Sequence, residues 1–405
     1  MRAPKTIRSV GAIAVWGLGC ALAAGAQNRV VHTDPLNRDP LVRQAFDYFF
    51  TLDYDGALER FEKVEQAHPE NPIAADYVLD TVLFHQLYNL DLLDTTLYAH
   101  DGFLTGKHRV TEDPAFTARI TQLSDKAIGL ANAELQKNPK NVNALYARAW
   151  AESMHAIYMG LVQRSYMAAL RMALSARSDD DQVLAIDPDY ADAELVVGVH
   201  QYVVGALPFP IKMMAGIAGI HGSKEKGINM LRDCGRYGPT TSVEARTALA
   251  LFLRREAKYG EAEQEIASLK QQYPHNYLFA LEEANLQKDA GHAQQAIALY
   301  RGLLRQASQP GYFPNAHLEL AWFGLGDTLQ GQNDPAAAAE AFEEVLKQPA
   351  ASADLKRRGA LGAGMEYDLQ GKRAQAEMAY RQVLTMGDSD QASRARDYLE
   401  KPYTG

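Results

Sequence analysis

Histidine and aspartate side chains cluster in one stretch of this 405-residue sequence. His85, Asp91 and Asp94 lie close together, and His100 and Asp101 follow them. Because imidazoles and carboxylates together are typical zinc ligands, an enzyme or metal protein using the His85–Asp101 region is one hypothesis. No H-x3-H or H-E-x2-H spacing is present, however. We therefore favour solvated or hydrogen-bonded histidines and predict no metal site.

Four other motifs resemble known chemical signatures but fail on spacing. His317-Leu318-Glu319 lacks the downstream P-C-x2-C of a zinc deaminase. Gly222-Ser223-Lys224 reverses the order that a phosphate-binding G-x4-G-K-[ST] loop requires. Cys234 has no nucleophile signature around it, and the acidic run 179–181 lacks the spacing of a calcium loop. We therefore predict no catalytic residue and no cofactor.

The first 26 residues have the composition of a secretory signal peptide. It begins with the basic residues Arg2, Lys5 and Arg8, and an apolar run follows over residues 10–22. The small residues Ala24-Gly25-Ala26 then form a cleavage site. An uncleaved anchor is an alternative, although the apolar run is short for a membrane span. Cys20 offers a third option, a lipoprotein cysteine, but residues 17–19 match the usual lipobox poorly. We expect an exported protein, periplasmic or secreted.

Composition and charge indicate a folded protein and disfavour nucleic acid as its partner. The chain is 47% hydrophobic and 22% charged, which is typical of a folded globular protein. Signal cleavage would remove three positive charges and no negative one, so the formal net charge of −9 would become −12. An acidic surface disfavours nucleic acid as a partner. Only Cys234 would remain of the two cysteines, so the fold depends on packing and not on a disulfide.

The C-terminal part contains four similar units. The segment 322–329, followed by Ala338 and Phe342, matches the pattern W-x2-L-G-x2-Y…A-x3-F. Large residues recur at the position of Phe342, with spacings of 34, 42 and 38, at Ile266, Tyr300, Phe342 and Tyr380. On this pattern the chain resembles tetratricopeptide repeat (TPR) proteins.

The TPR resemblance implies an all-α fold, a right-handed helical solenoid of roughly six to eight stacked helix pairs. We expect an irregular region over 27–240 and a regular array over 241–405, closed by a helix at 391–400. Apolar patterns at 73–98 and 144–177 predict long helices, the second interrupted near Gly160. Gly291 suits a left-handed residue at a helix C-terminus. The large aromatic residues of the repeats are expected in the core.

Transferring the TPR pattern also predicts which side chains face the concave groove. These are Arg254, Leu281, Asn285, Lys288, Phe323 and Asp327. The two cations and the amide together could hold a carboxylate, with Leu281 and Phe323 giving apolar contact. This arrangement resembles the carboxylate-clamp TPR modules that hold peptide C-termini, although the full Lys/Asn set of those modules is not present in order. An ordinary solvated groove is the alternative.

The segment 195–220 is the most apolar stretch after the signal. Pro208 and Pro210 interrupt it, and His200 and Lys212 lie inside it, so it is not a transmembrane helix. Two short buried helices joined by a proline turn are the first interpretation. A membrane-touching surface or a partner site is the second.

A second resemblance covers about 25 residues from Leu207-Pro208 onward. This stretch, which includes Gly222-Ser223-Lys224 and Gly227-Ile228, is similar to part of the eukaryotic tetratricopeptide-repeat 39 and inclusion-body-clearance proteins. That resemblance implies only a non-enzymatic helical repeat protein.

These observations together predict an exported, non-catalytic TPR scaffold that binds a protein or peptide in a groove within residues 243–385. A lipid- or membrane-associated module built on residues 195–220 is the alternative from another class, with peripheral membrane contact. The enzyme or metal hypothesis for the His85–Asp101 region is the third. The partner's identity and the oligomeric state do not follow from the sequence.

Overall fold

The computed structural model describes residues 31–99, 112–208, 212–213, 216 and 219–405. The predicted signal with Cys20, and the His100-Asp101 pair, lie outside the described residues. From Val31 onward the chain forms one compact unit. Within the described ranges, no helix combines the length and the apolar character needed to cross a membrane.

Seventeen α-helices and three short 3-10 helices, but no β-strand, make up the described part of the chain. The α-helices are α1 Pro40–Phe50, α2 Tyr54–Ala67, α3 Pro72–Asn89, α4 Pro114–Lys137, α5 Val142–Leu161, α6 Tyr166–Ile186, α7 Glu194–Ala206, α8 Lys224–Tyr237, α9 Ser242–Arg255, α10 Tyr259–Gln272, α11 Tyr277–Asp289, α12 Ala293–Ala307, α13 Leu318–Gly331, α14 Pro335–Lys347, α15 Ala353–Leu369, α16 Arg373–Thr385 and α17 Asp390–Glu400. The 3-10 helices are Pro35–Arg38, Thr95–Tyr98 and Ala191–Ala193.

The helices stack as consecutive pairs. Every α-helix packs against the next one along the chain, and α11, α13, α15 and α17 also contact one another in sequence. The first sixteen make eight pairs, and α17 closes the series where a terminal helix was predicted. The predicted all-α, TPR-like solenoid is confirmed. The region boundary at residue 240 falls between α8 and α9 and stays a prediction.

The turn inside each regular repeat has the same backbone geometry. After the first helix of the pair, one residue takes a positive φ, and the next amide donates a hydrogen bond to a carbonyl five residues earlier. This is the Schellman arrangement, which satisfies carbonyls at a helix end. The left-handed residues are Ala257, Gly291, Asn333 and Gly371, and Leu52 and Asp91 end α1 and α3 in the same way. The prediction for Gly291 is confirmed.

Small residues at the helix crossings receive the large ones of the neighbouring helix. A Cβ on Gly324 would lie 2.6 Å from the Tyr300 hydroxyl oxygen, and one on Gly326 would lie 2.8 Å from the Phe342 ring. Ile266, Tyr300, Phe342 and Tyr380 are all buried. Their predicted role as core residues is confirmed.

Two predicted long helices end earlier than the apolar pattern suggested. The helix expected over 73–98 stops at Asn89, because the left-handed turn at Asp91 (φ 58°) redirects the chain. The pattern over 144–177 divides into α5 and α6, with Arg164 (φ 56°) in the connection, so the interruption predicted near Gly160 is confirmed.

The apolar segment 195–220 begins as one helix, α7, which ends before Pro208. Glycines bring α7 unusually close to α8. A Cβ on Gly227 would lie 2.6 Å from the Gly198 carbonyl oxygen, and one on Gly205 would lie 2.5 Å from the Lys224 amide nitrogen. The glycine of the second resemblance motif therefore permits a close helix crossing. Parts of the segment, including Pro210 and Met214, lie outside the described residues.

Candidate functional site

The N-terminal half of the chain lies against α9, the turn between α10 and α11, and the loop before α13. Rings and backbone both take part: Phe50 packs on Tyr273, and Tyr88 on Tyr277. Three hydrogen bonds of 2.6–2.8 Å join the two halves: Asn276 donates to the Phe50 carbonyl, Tyr88 to the Asn315 carbonyl, and Arg255 to the Tyr98 carbonyl. Much of the surface predicted as an open groove is therefore covered by the chain itself.

Arg254 is the centre of this contact. It is 4% exposed, and its guanidinium donates to Asp289 at 2.7 Å and to both carboxylate oxygens of Glu282 at 3.1 Å. It also donates to the Thr95 hydroxyl at 3.2 Å, and that hydroxyl donates in turn to Glu282. Thr95 belongs to the 3-10 helix Thr95–Tyr98, so one buried ion pair fixes that helix against α9 and α11.

Three predicted groove residues are therefore not available in this structure. Arg254 has its charge matched by acids of the chain, Leu281 is buried, and Asn285 is buried and accepts a 2.5 Å hydrogen bond from the Tyr300 hydroxyl. The expectation that they face an open clamp needs correction. At Arg254 the physical reason is that Thr95 of the segment 91–98 bonds to its guanidinium, and the TPR pattern contains no information about such a segment. At Asn285 the reason is the hydrogen bond from Tyr300 of the same repeat.

The other three predicted residues lie where the groove stays accessible. The Lys288 ammonium pairs with the Asp327 carboxylate at 3.0 Å, and both side chains are partly exposed. Phe323 is half-buried, and the Arg358 guanidinium stacks 4.2 Å from its ring centroid. We name Lys288, Phe323, Asp327 and Arg358 the open end of the groove. Whether a partner binds there stays a prediction.

Arg358 is a residue that the sequence analysis did not identify. It lies 38 residues after Leu320, which is the spacing between the third and fourth repeats. Aligning the two repeats through Phe342 and Tyr380 would have placed it beside Phe323 on the concave face. A stacked guanidinium keeps N–H donors free for a carboxylate.

A second polar group joins two motifs that the sequence analysis considered separately. His317 Nδ1 donates to Asp91 Oδ1 at 2.6 Å and lies 3.2 Å from Glu319 Oε1. Burial opposes the charged imidazolium, but the adjacent Asp91 and Glu319 carboxylates outweigh that effect and raise the pKa of His317 to about 9. The two carboxylates therefore favour the charged form of His317.

A cleft of about 420 Å³ lies beside this group. His85, the first residue of the region considered for chemistry, lines it together with Tyr54, and their rings stack at 5.3 Å. Tyr88 and His317 line it too, with ring centroids 4.5 Å apart. The structure thus brings His85, Asp91 and the His317-Leu318-Glu319 motif to one place, whereas Asp94 caps the 3-10 helix through the Thr96 amide.

No protein-family model matches this chain, and no curated protein matches it at a significant level. Among solved structures, it is similar to Cut9 in the APC/C hetero-tetramer Cut9–Hcn1, at 13% identity and a TM-score of 0.49 over 91% of this chain. It spans 57% of the length of that chain.

Two further solved structures are similar over most of both chains. Yeast Tom70 has 12% identity and a TM-score of 0.40, covering 89% of this chain and 87% of its own. A tetratricopeptide repeat protein from Parabacteroides merdae has 15% identity and a TM-score of 0.36, covering 80% and 97%. The fold assignment rests on the helix pairs described above. The chain is TPR-like in its fold.

The free energy of unfolding should distinguish Arg254, which is buried and structural, from Lys288, which is partly exposed. Arg254→Met leaves Glu282 and Asp289 without their cation in a buried place, so we expect a loss of about 3–5 kcal/mol in the free energy of unfolding. Lys288→Met removes a partly exposed pair and should cost less than about 1 kcal/mol. Urea unfolding monitored by circular dichroism measures both. Equal losses would contradict the assigned roles.

Proposed function

We propose that this chain is an exported, non-catalytic TPR-like scaffold that binds a protein or peptide at the open end of its groove. The observation that carries the proposal is that the groove already holds residues 91–98, a turn followed by a 3-10 helix, through hydrogen bonds from Arg254 and Arg255. The same concave face continues to Lys288, Phe323, Asp327 and Arg358, which keep solvent exposure.

The open end favours a partner segment that carries a carboxylate and an apolar side chain. Arg358 and Lys288 supply the positive charge, and Phe323 supplies the apolar surface. Asp327 would have to release Lys288, which a partly exposed ion pair allows at little cost. A peptide C-terminus or an acidic stretch of a folded partner has this chemistry.

Export is supported by the signal-like composition of residues 1–26. We expect the mature chain to begin at Gln27. The intact mass of protein purified from the producing cell distinguishes the three forms. A mass starting at Gln27 supports cleavage, a mass including residues 1–26 indicates an anchor, and a diacylglycerol adduct on Cys20 indicates a lipoprotein.

A peptide display library with free C-termini tests the groove directly. Against the mature chain we expect enrichment of peptides ending in an apolar residue with acidic neighbours. Phe323→Ala/Arg358→Ala and, separately, Lys288→Glu should each weaken the enriched peptides at least about tenfold, equivalent to 1.4 kcal/mol. Lys347→Ala, an exposed cation on α14, is the matched control and should leave affinity unchanged.

Two results would reject the peptide-binding proposal. One is equal affinity of the enriched peptides for the wild type and for both groove variants. The other is that no peptide is enriched although the chain is folded by circular dichroism.

A membrane-associated role is the second candidate, and an exposed apolar patch favours it. Large side chains on α6, on α7 and on the segment that follows α7 are between 39% and 65% exposed: Tyr166, Met167, Leu170, Val203 and Met213. Single exposed apolar residues are common, but several on neighbouring elements mark a contact surface. α6 and α7 are such neighbours, since Arg177 lies 3.0 Å from His200 across their interface.

Co-sedimentation with phosphatidylglycerol/phosphatidylethanolamine vesicles separates the two candidates. If the patch binds lipid, the mature chain sediments and Met167→Asp/Met213→Asp abolishes this, because a charge placed there would have to enter the bilayer interface. Met378→Asp is the control, since Met378 is equally exposed but lies on α16. Failure of the wild type to sediment would exclude the membrane role.

A further inference from the structure

Three potential metal ligands converge where α3 ends and α13 begins. His317 Nδ1, an Asp91 carboxylate oxygen and a Glu319 carboxylate oxygen all lie within 4.8 Å of one another. In a tetrahedral zinc site, ligand atoms about 2.0–2.1 Å from the ion lie roughly 3.3 Å apart. The Nδ1–Oε1 distance of 3.2 Å already fits, and the Nδ1–Oδ1 distance of 2.6 Å must lengthen by roughly 0.7 Å.

We infer that Asp91, His317 and Glu319 form a site for one divalent transition-metal ion of the zinc class, which would take the place of the proton on His317 Nδ1 and release that proton to solvent. One imidazole and two carboxylates suit zinc, iron(II) or manganese(II) better than magnesium or calcium, which prefer oxygen ligands alone. The site is distinct from the open end of the groove, because none of its three residues belongs to that set.

The Glu319 carboxylate gives independent support. It is 1% exposed, and Oε1 has no hydrogen-bond donor, because the single Nδ1–H of His317 is directed at the closer Asp91 oxygen. A buried carboxylate oxygen without a donor costs free energy in any protein. A bound cation would coordinate that oxygen directly, whereas the imidazole N–H 3.2 Å away is directed at Asp91.

The three ligands stand on elements that are already fixed. Asp91 lies in the left-handed turn that ends α3, and His317 and Glu319 flank the start of α13. The Tyr88 hydroxyl donates at 2.6 Å to the Asn315 carbonyl and so holds the chain just before His317. Metal sites need this kind of support, because an ion selects ligands held near their bound positions.

The site also reaches solvent. His317 is the ligand that lines the 420 Å³ cleft, so the proposed site borders solvent through its imidazole. An ion held by three protein ligands would keep a fourth coordination position for water or a small ligand. Three protein ligands with one open position is the arrangement of catalytic zinc sites, whereas closed structural sites use four protein ligands.

The experiment is a zinc titration of the full mature chain after chelator treatment, against a chromophoric competitor. We expect one equivalent of zinc to bind with a sub-micromolar Kd, and cobalt(II) substituted for zinc to give the visible absorption of a tetrahedral site. His317→Asn and Glu319→Gln should each weaken zinc at least about 100-fold, as loss of a direct ligand should exceed the 10- to 100-fold effect of outer-shell changes.

Asp91→Gly is the most informative variant. Glycine adopts the positive φ of that turn without strain, so the variant removes a ligand and keeps the backbone. His85→Gln is the matched control, since His85 lines the same cleft outside the ligand set. Zinc should raise the Tm of the wild type and of His85→Gln, but not that of Asp91→Gly.

The inference fails if the wild type binds no saturable zinc, which would leave a metal-free ion pair linking α3 to α13. It also fails if Asp91→Gly binds zinc as tightly as the wild type, or if His85→Gln loses binding as fully as His317→Asn.

Discussion

The buried guanidinium of Arg254 is the contact on which the arrangement of the two halves depends. Its charge is balanced by Glu282 and Asp289 from the repeat array, and its remaining donor capacity reaches Thr95 from the N-terminal half. A buried ion pair contributes little net stability compared with a well-packed apolar substitute, but it strongly disfavours arrangements that leave one member unpaired. Its main effect is therefore to specify where the segment 91–98 lies.

That constraint divides the concave face into two parts. The part around Arg254 and Glu282 holds the chain's own segment and is structural, while the part around Lys288, Phe323 and Arg358 keeps its polar groups accessible. The same contact brings the end of α3 to the start of α13, where Asp91 meets His317. The covered groove, the open end and the His317 cluster are thus three consequences of one packing arrangement.

The sequence predicted local structure well, because repeats are locally encoded. The 3.6-residue periodicity, the small residues at crossings and the turn at Gly291 each concern neighbours in sequence, and all appear in the structure. It predicted the site poorly, because Arg254 meets Thr95 across 159 residues and His317 meets Asp91 across 226. A TPR pattern assigns Arg254 to the groove face, but only tertiary packing decides whether that face meets solvent or the same chain.

The central claim is that residues 91–98 occupy the groove of the first two regular repeats. A photo-crosslinking amino acid at Leu97, which is partly buried against the core, tests it most directly in the full mature chain. The account predicts crosslinks within the same molecule to residues of α9 and α11, identified by mass spectrometry of the digested monomer. Crosslinks only to solvent-exposed peptides elsewhere, or only between molecules, would contradict it.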